Sequence, residues 1–254
     1  MSYEVTKFDL LYETSIPVNE FISFKNPKLE EIVRDKSFAS YSRIFTISTR
    51  EIFSQSPHVD ELEQKYPTLI SILQDPQLTQ TNFLGHYFAG GQLTGEEFLF
   101  KSFEFWTGVD SSNFKILSNG KIICTSPEWI IDEEEFENIS DLIKMITSYE
   151  PNEDFIAPPN MTPNRHKRWM ALVSGRIDKV RKDKSELADK ILILSVSTHG
   201  YIPIEEIRKM TFYHFQALLR LTSTKVSYEQ VMALKNSPKF DVKDNPKHWM
   251  EFVI

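Results

Sequence analysis

SELADKILILSVSTHGYIPIEEIRKMTFYHFQALLRLTSTKVSYEQVMALKNSPKF, residues 185–240, runs on through DVKDNPKHWMEFVI to Ile254 and has the clearest punctuation in the chain. Ser185 reads as an N-cap with Glu186 in the first turn. Leu187, Ile191, Leu194 and Thr198 trace one helical face, which Ile193 and Val196 widen, so this helix is expected at the centre of its domain. Gly200 after His199 is a helix stop beside a cation. Pro203 then opens a short helix carrying Ile204, Ile207 and Met210. Thr211 caps the next, with Phe212, Phe215, Leu218, Leu219 and Thr222 facing inward and His214 on its flank. Val226 to Leu234 give one more short helix. The closing tail, His248-Trp249-Met250-Glu251-Phe252-Val253-Ile254, is expected to fold back across its own domain, with insertion into another subunit as the alternative. This is a layout for packing and docking.

Upstream, the charge changes sign. Between Asn164 and Lys184, eight cations (Arg165, Lys167, Arg168, Arg176, Lys179, Arg181, Lys182 and Lys184) face Asp178 and Asp183, for a net +6. Trp169, Leu172, Val173, Ile177 and Val180 follow helical spacing, so one side packs. The remaining face is solvated, complements an acidic segment, meets a partner protein, or grips nucleic acid through phosphates with Trp169 to stack. Glu128 to Asp154 holds ten acids against Lys144, for a net −9. Asp132 caps a helix there whose apolar stripe is Phe136, Ile139, Leu142, Ile143 and Ile146. Consecutive helical carboxylates diverge, so Asp132 to Glu135 read as a dipole-matched helix start and not as a metal site. EPNEDFIAPPNMTP, residues 150–163, holds four of the thirteen prolines and is read as a linker. The expected division is a mixed α/β domain over 1–150, a linker over 151–163 and a helical domain over 164–254.

The N-terminal half is less regular. Residues 3–24 alternate in places (Phe8, Leu10, Tyr12; Val18, Phe21, Ile22, Phe24), which favours one or two strands. Asn26-Pro27 is read as the cap and first position of a helix running into Leu29, Ile32 and Val33. Residues 43–52 lean towards helix, and 57–75 suggest a helix broken at Tyr66-Pro67. Gly90-Gly91 marks a turn, since no Lys-Ser/Thr follows to make a phosphate loop. Thr94-Gly95-Glu96-Glu97 is a capping box. The helix after it carries Phe98, Leu99, Phe100, Phe103, Phe105 and Trp106, read as a core helix with a partner surface at Phe103 and Trp106 as the alternative. Phe114 to Cys124 form a hairpin about Asn119-Gly120. The fold class is therefore α+β, predominantly helical, with a few N-terminal strands, a central hairpin and a C-terminal helical bundle.

The 254 residues hold ample apolar material for a core, 41% hydrophobic and 13% aromatic, which excludes a disordered chain. The net charge of −7 disfavours a generic duplex DNA binder. The single Cys124 excludes an internal disulfide, and it reads as a small buried hydrophobe. Neither a secretory leader nor a bilayer-length apolar run is legible, so no membrane association is expected. No HExxH, nucleophile elbow, Walker loop or CxxC occurs, and the six histidines form no i, i+4 pair. No catalytic residue, cofactor or metal is therefore assigned.

FKNPKLEEIV near the N-terminus, FKILSNGKIICTSPEWIIDEEEFENISDLIKMI in the centre, and GYIPIEEIRKMTFYHFQALLRL with KHWMEFVI at the end resemble proteins of the tail-gene region of tailed phages of Gram-positive bacteria. That resemblance, in fragments over residues 20–254, implies a tail assembly chaperone or baseplate-associated factor. Its expected setting is the host cytoplasm or the virion tail, and its expected partners are other tail or baseplate proteins or a second copy of itself. The expected partner-binding residues are Phe103, Trp106, Arg165, Lys167, Arg168, Trp169, Arg176, His248 and Trp249. A nucleic-acid-associated protein using residues 165–184 and a structural virion component are the alternatives.

Overall fold

A computed structural model describes residues 5–35, 37–182, 187–197, 201–237, 239 and 246–252; the side chains of 180–182 and 252 are not described. Among these residues the protein is a predominantly helical α+β fold with fourteen α-helices and two small antiparallel sheets. It divides into two compact units, neither contiguous in sequence. The first comprises Met1–Val5, Ser15–Lys25 and Arg34–Lys184; the second comprises Thr6–Thr14, Asn26–Val33 and Ser185–Ile254.

In chain order the first segments are α1 (Lys7–Tyr12), β1 (Ser15–Pro17), β2 (Ser23–Lys25) and α2 (Leu29–Arg34). The strands pair with Ile16 opposite Phe24. Strand alternation over Phe8, Leu10 and Tyr12 is not what forms: these residues lie on α1, where a Thr6–Asp9 capping box starts a helix and Phe8 stacks on Tyr12 one turn later. Asn26 also departs from the capping role expected of it. It is fully buried and caps nothing, because its amide nitrogen donates to the carbonyls of Leu10 and Glu13, both at 2.8 Å, and α2 begins at Leu29.

The first unit continues through α3 (Phe38–Thr46), α4 (Thr49–Phe53), α5 (Val59–Lys65), α6 (Leu69–Gln74), α7 (Pro76–Gln80), α8 (Phe83–Ala89) and α9 (Gly95–Thr107). The Thr94–Glu97 capping box opens α9 as expected, and Gly108 at φ 74° ends it. This helix is the spine of the core. Phe98, Leu99, Phe103 and Trp106 are each at most 4% exposed. Phe103 stacks on Phe114 at 5.0 Å and meets Phe45 edge-on at 5.1 Å, while Trp106 packs on Phe38.

The second sheet has strands β3 (Phe114–Ile116), β4 (Ile122–Thr125) and β5 (Glu128–Ile131), paired in that order. The expected hairpin is present, but Gly120 alone takes a positive φ there, 81°, and Leu117 bonds to both Gly120 and Lys121 across a three-residue loop. The added strand β5 buries Trp129 and Ile131. Asp132 then caps α10 (Glu133–Thr147), whose stripe Phe136, Ile139, Leu142, Ile143 and Ile146 is buried. Pro163 opens α11 (Pro163–Lys182), which also belongs to this first unit.

The second unit holds α12 (Leu187–Ser197), α13 (Ile204–Lys209) and α14 (Phe212–Lys235) with the N-terminal α1. Thr211 caps α14 through the His214 amide, and its hydroxyl donates to Leu10 O at 2.8 Å. Met210 and Pro27 carbonyls accept from Leu29 and Phe212, a short bridge that stitches the N-terminal piece to the helices. The two short helices expected over 211–234 are one helix of 24 residues, since neither Gly nor Pro interrupts 212–235. The expected cap at Ser185 and stop at His199-Gly200 lie outside the described residues.

Candidate functional site

A groove of about 690 Å³ in the first unit runs between Thr46, Ser48 and Arg50 on one side and Lys144, Tyr149, Pro151, Glu153 and Ile156 to Pro159 on the other. Two of its polar groups, Arg50 and Tyr149, are committed to holding the fold. Arg50 donates through Nε to Ala157 O at 2.6 Å, and its two terminal nitrogens reach Glu63 and Asp60. Burial pushes the Tyr149 hydroxyl well above its ordinary pKa, and donation to Glu51 at 2.9 Å adds to that. The proline-rich stretch that forms one wall is therefore no linker. Ala157 N donates to Ser54 Oγ at 3.0 Å, Asn160 N donates to Asp60 at 3.0 Å, and the buried His166 ring bonds Ser54 O at 2.9 Å. The boundary expected at 151–163 thus differs from the compact units, which part at Lys184 and place α11 with the first.

The expected partner residues separate into three groups. Phe103 and Trp106 are 0% exposed, so in this fold neither can meet a partner. The aromatic run of α9 is spent on the core. Trp169 is 8% exposed and packs on the His166 ring at 5.7 Å, leaving no free face for a base to stack on. Arg165, Lys167, Arg168 and Arg176 are exposed on α11. Arg176 pairs with Asp154 at 3.1 Å, whereas Arg165, Lys167, Arg168 and Lys179 make no ion pair among the described residues. His248 and Trp249 are half-buried in the second unit: His248 meets the Tyr228 ring at 5.0 Å, and Lys225 Nζ lies 5.5 Å over the Trp249 ring. The described part of the tail, 246–252, folds back on α14.

What the sequence pattern misjudged is α12. Leu194 and Ser195 are buried, with Ser195 and Ile202 bonded reciprocally through the Ser195 hydroxyl and carbonyl. The residues read as widening that buried face, Ile193 and Val196, are instead exposed by 50% and 73%, and Leu192 by 54%. At 100° per residue, positions 192, 193 and 196 fall on one side of the helix, opposite to Leu194. So α12 has two apolar faces, and one is uncovered. The signal was present in the unbroken run ILIL, too apolar on all sides for a helix with a single packed face.

Among the described residues, no group of three or more His, Cys, Asp or Glu converges to hold a metal, and no helix is long and apolar enough to cross a membrane. Cys124 is buried, and that burial raises its thiol pKa. Comparison with known protein families, curated proteins and solved structures gave no match.

Proposed function

We propose that this protein is a non-enzymatic assembly factor of a tailed phage, which binds a tail or baseplate protein through the outer face of α12. The observation that carries the reading is the aliphatic trio Leu192, Ile193 and Val196, more than half exposed on average on a helix whose opposite side is already packed. Three adjacent aliphatic side chains left in water are worth roughly 1.5–3 kcal/mol each when fully covered, enough to anchor a small interface. The neighbouring Asp189 is the charge on that side, so the matching surface is apolar with a polar rim. The commitment of Arg50 and Tyr149 to structural hydrogen bonds supports binding over catalysis in the large groove. The phage setting rests on the resemblance of the quoted segments.

Co-expression with the tail and baseplate proteins of a tailed phage of a Gram-positive host, followed by affinity purification, tests this reading. Wild type should retain a tail or baseplate protein, and Leu192→Asp with Val196→Asp should lose it with an unchanged circular dichroism spectrum. Retention by the double variant, or no retained tail protein with wild type, would overturn it.

A further inference from the structure

A second surface lies in the first unit and has its own chemistry. On α11, Arg165, Arg168, Leu172, Arg176 and Lys179 are spaced 3, 4, 4 and 3 residues apart, which keeps them within one stripe about 80° wide and about 21 Å long. All five are exposed, and Leu172, at the middle, is 63% exposed. Lys167 falls on the opposite side of the helix and does not belong to the stripe. From Ser174 to Lys179 every residue is exposed, so this half of α11 stands clear of its own unit.

The outer face of α10 carries the complementary pattern. Glu134, Glu137, Asp141 and Met145 are exposed at spacings of 3, 4 and 4, and Met145 is 42% exposed. Glu134 and Glu137 make no ion pair among the described residues, while Asp141 is held by Lys144 at 2.8 Å on the surface. Within the chain, the basic and acidic segments meet through the exposed pair Arg176–Asp154, a contact of little energetic weight. Each face thus keeps charges without an ion pair among the described residues (Arg165, Arg168 and Lys179 on α11, Glu134 and Glu137 on α10), surface pairs at Arg176 and Asp141, and an exposed apolar residue.

We infer that the basic stripe of α11 docks on the acidic face of α10 in a second copy of this chain. The spacing provides a register. With Met145 set against Leu172, Asp141 falls opposite Arg168 and Glu137 near Arg165 if the helices run parallel; if they run antiparallel, Asp141 falls opposite Arg176 and Glu137 near Lys179. Either direction pairs two acids with two cations around an apolar contact. Because every chain carries both faces, a two-fold pair makes the contact twice. The net charge of −7 repels two copies at long range, but that field is screened beyond about 10 Å at 0.1 M salt, whereas paired charges within ~4 Å keep most of their attraction. The association is therefore reversible and sensitive to salt. A nucleic acid would also meet the arginines, but it offers nothing to Leu172 and finds Trp169 covered.

Sedimentation equilibrium of the purified full chain reads the outcome. At ~50 mM salt the mass should exceed that of the monomer, and at ~1 M, where the screening length falls to about 3 Å, the dissociation constant should rise at least tenfold. Arg165→Glu with Arg168→Glu, and separately Glu137→Lys with Asp141→Lys, should each be monomeric, with melting curves establishing that both are folded. Mixed in equal amounts they should associate again, because each pairing in the mixed assembly joins opposite charges. A monomeric wild type at low salt, association undiminished in either variant, or a mixture that stays monomeric would overturn the inference. So would a single-stranded oligonucleotide that binds wild type at low salt and loses that binding in the Arg165→Glu, Arg168→Glu variant.

Discussion

Asp75 works in two directions at once. One carboxylate oxygen accepts from the amides of Gln77 and Leu78 to start α7, and the other accepts from the Tyr66 hydroxyl at 2.7 Å and Lys65 at 3.1 Å. The Tyr66 hydroxyl, then Lys65, hold this carboxyl at about 2, below its ordinary 3.8. A depressed acid contributes stability while it is ionised, so the contribution is present above 3.8 and is lost as pH falls towards 2. The stability gap between wild type and Asp75→Asn should shrink across that window in urea titrations; a gap constant through it would contradict the assignment. Arg50 makes a second point. Arg50→Ala strands the Ala157 carbonyl and two carboxylates, at a cost of roughly 2–3 kcal/mol read from the urea midpoint. Arg50→Lys should recover little, because one ammonium cannot reproduce the fork. Local roles of this kind are unevenly legible. Thr94, Asp132 and Thr211 were read correctly as caps because their partners lie three residues away. Asn26 was misread because its partners lie 13 and 16 residues back, reachable only through the fold.

Helix identity was largely visible in the periodicity of apolar residues, and α9 shows where that stops. Its aromatic crowding signals burial on several sides, yet nothing in the spacing says which rings meet neighbours and which meet solvent. Phe103 is enclosed by Phe45, Phe114 and Trp129. Phe103→Ala should therefore cost roughly 3–5 kcal/mol in equilibrium unfolding, the range for a core aromatic, where a surface docking residue would cost little. The tail is a milder case. Trp249 packs on α14 beneath Lys225 while staying partly exposed, so Trp249→Ala should cost about 1 kcal/mol, read as a small drop in urea midpoint. No measurable change would mean that the fold-back adds nothing to stability. On α12, the same periodicity led the other way: a face wide enough to look central is half uncovered, because α13 and α14 pack against its other side.

At the scale of the whole molecule, charge and proline content suggested a break at 151–163, and neither quantity reports where a chain packs. The stretch is fixed by Arg50 on α4, by Ser54 at its end and by Asp60 on α5, and the second compact unit joins N-terminal segments to C-terminal helices in a way no linear pattern displays. The outcome is a chain with two chemically distinct outer surfaces. One is aliphatic, on α12 of the second unit; the other is the charged pair of faces on α10 and α11 of the first. The proposed assembly role stands on the first of these. A photoreactive benzoylphenylalanine placed at Val196, irradiated in cells making the tail and baseplate proteins, tests it most directly. One dominant adduct with a tail or baseplate protein is expected, lost when Leu192 is changed to Asp. The absence of any such adduct, or an adduct that survives that change, would contradict it.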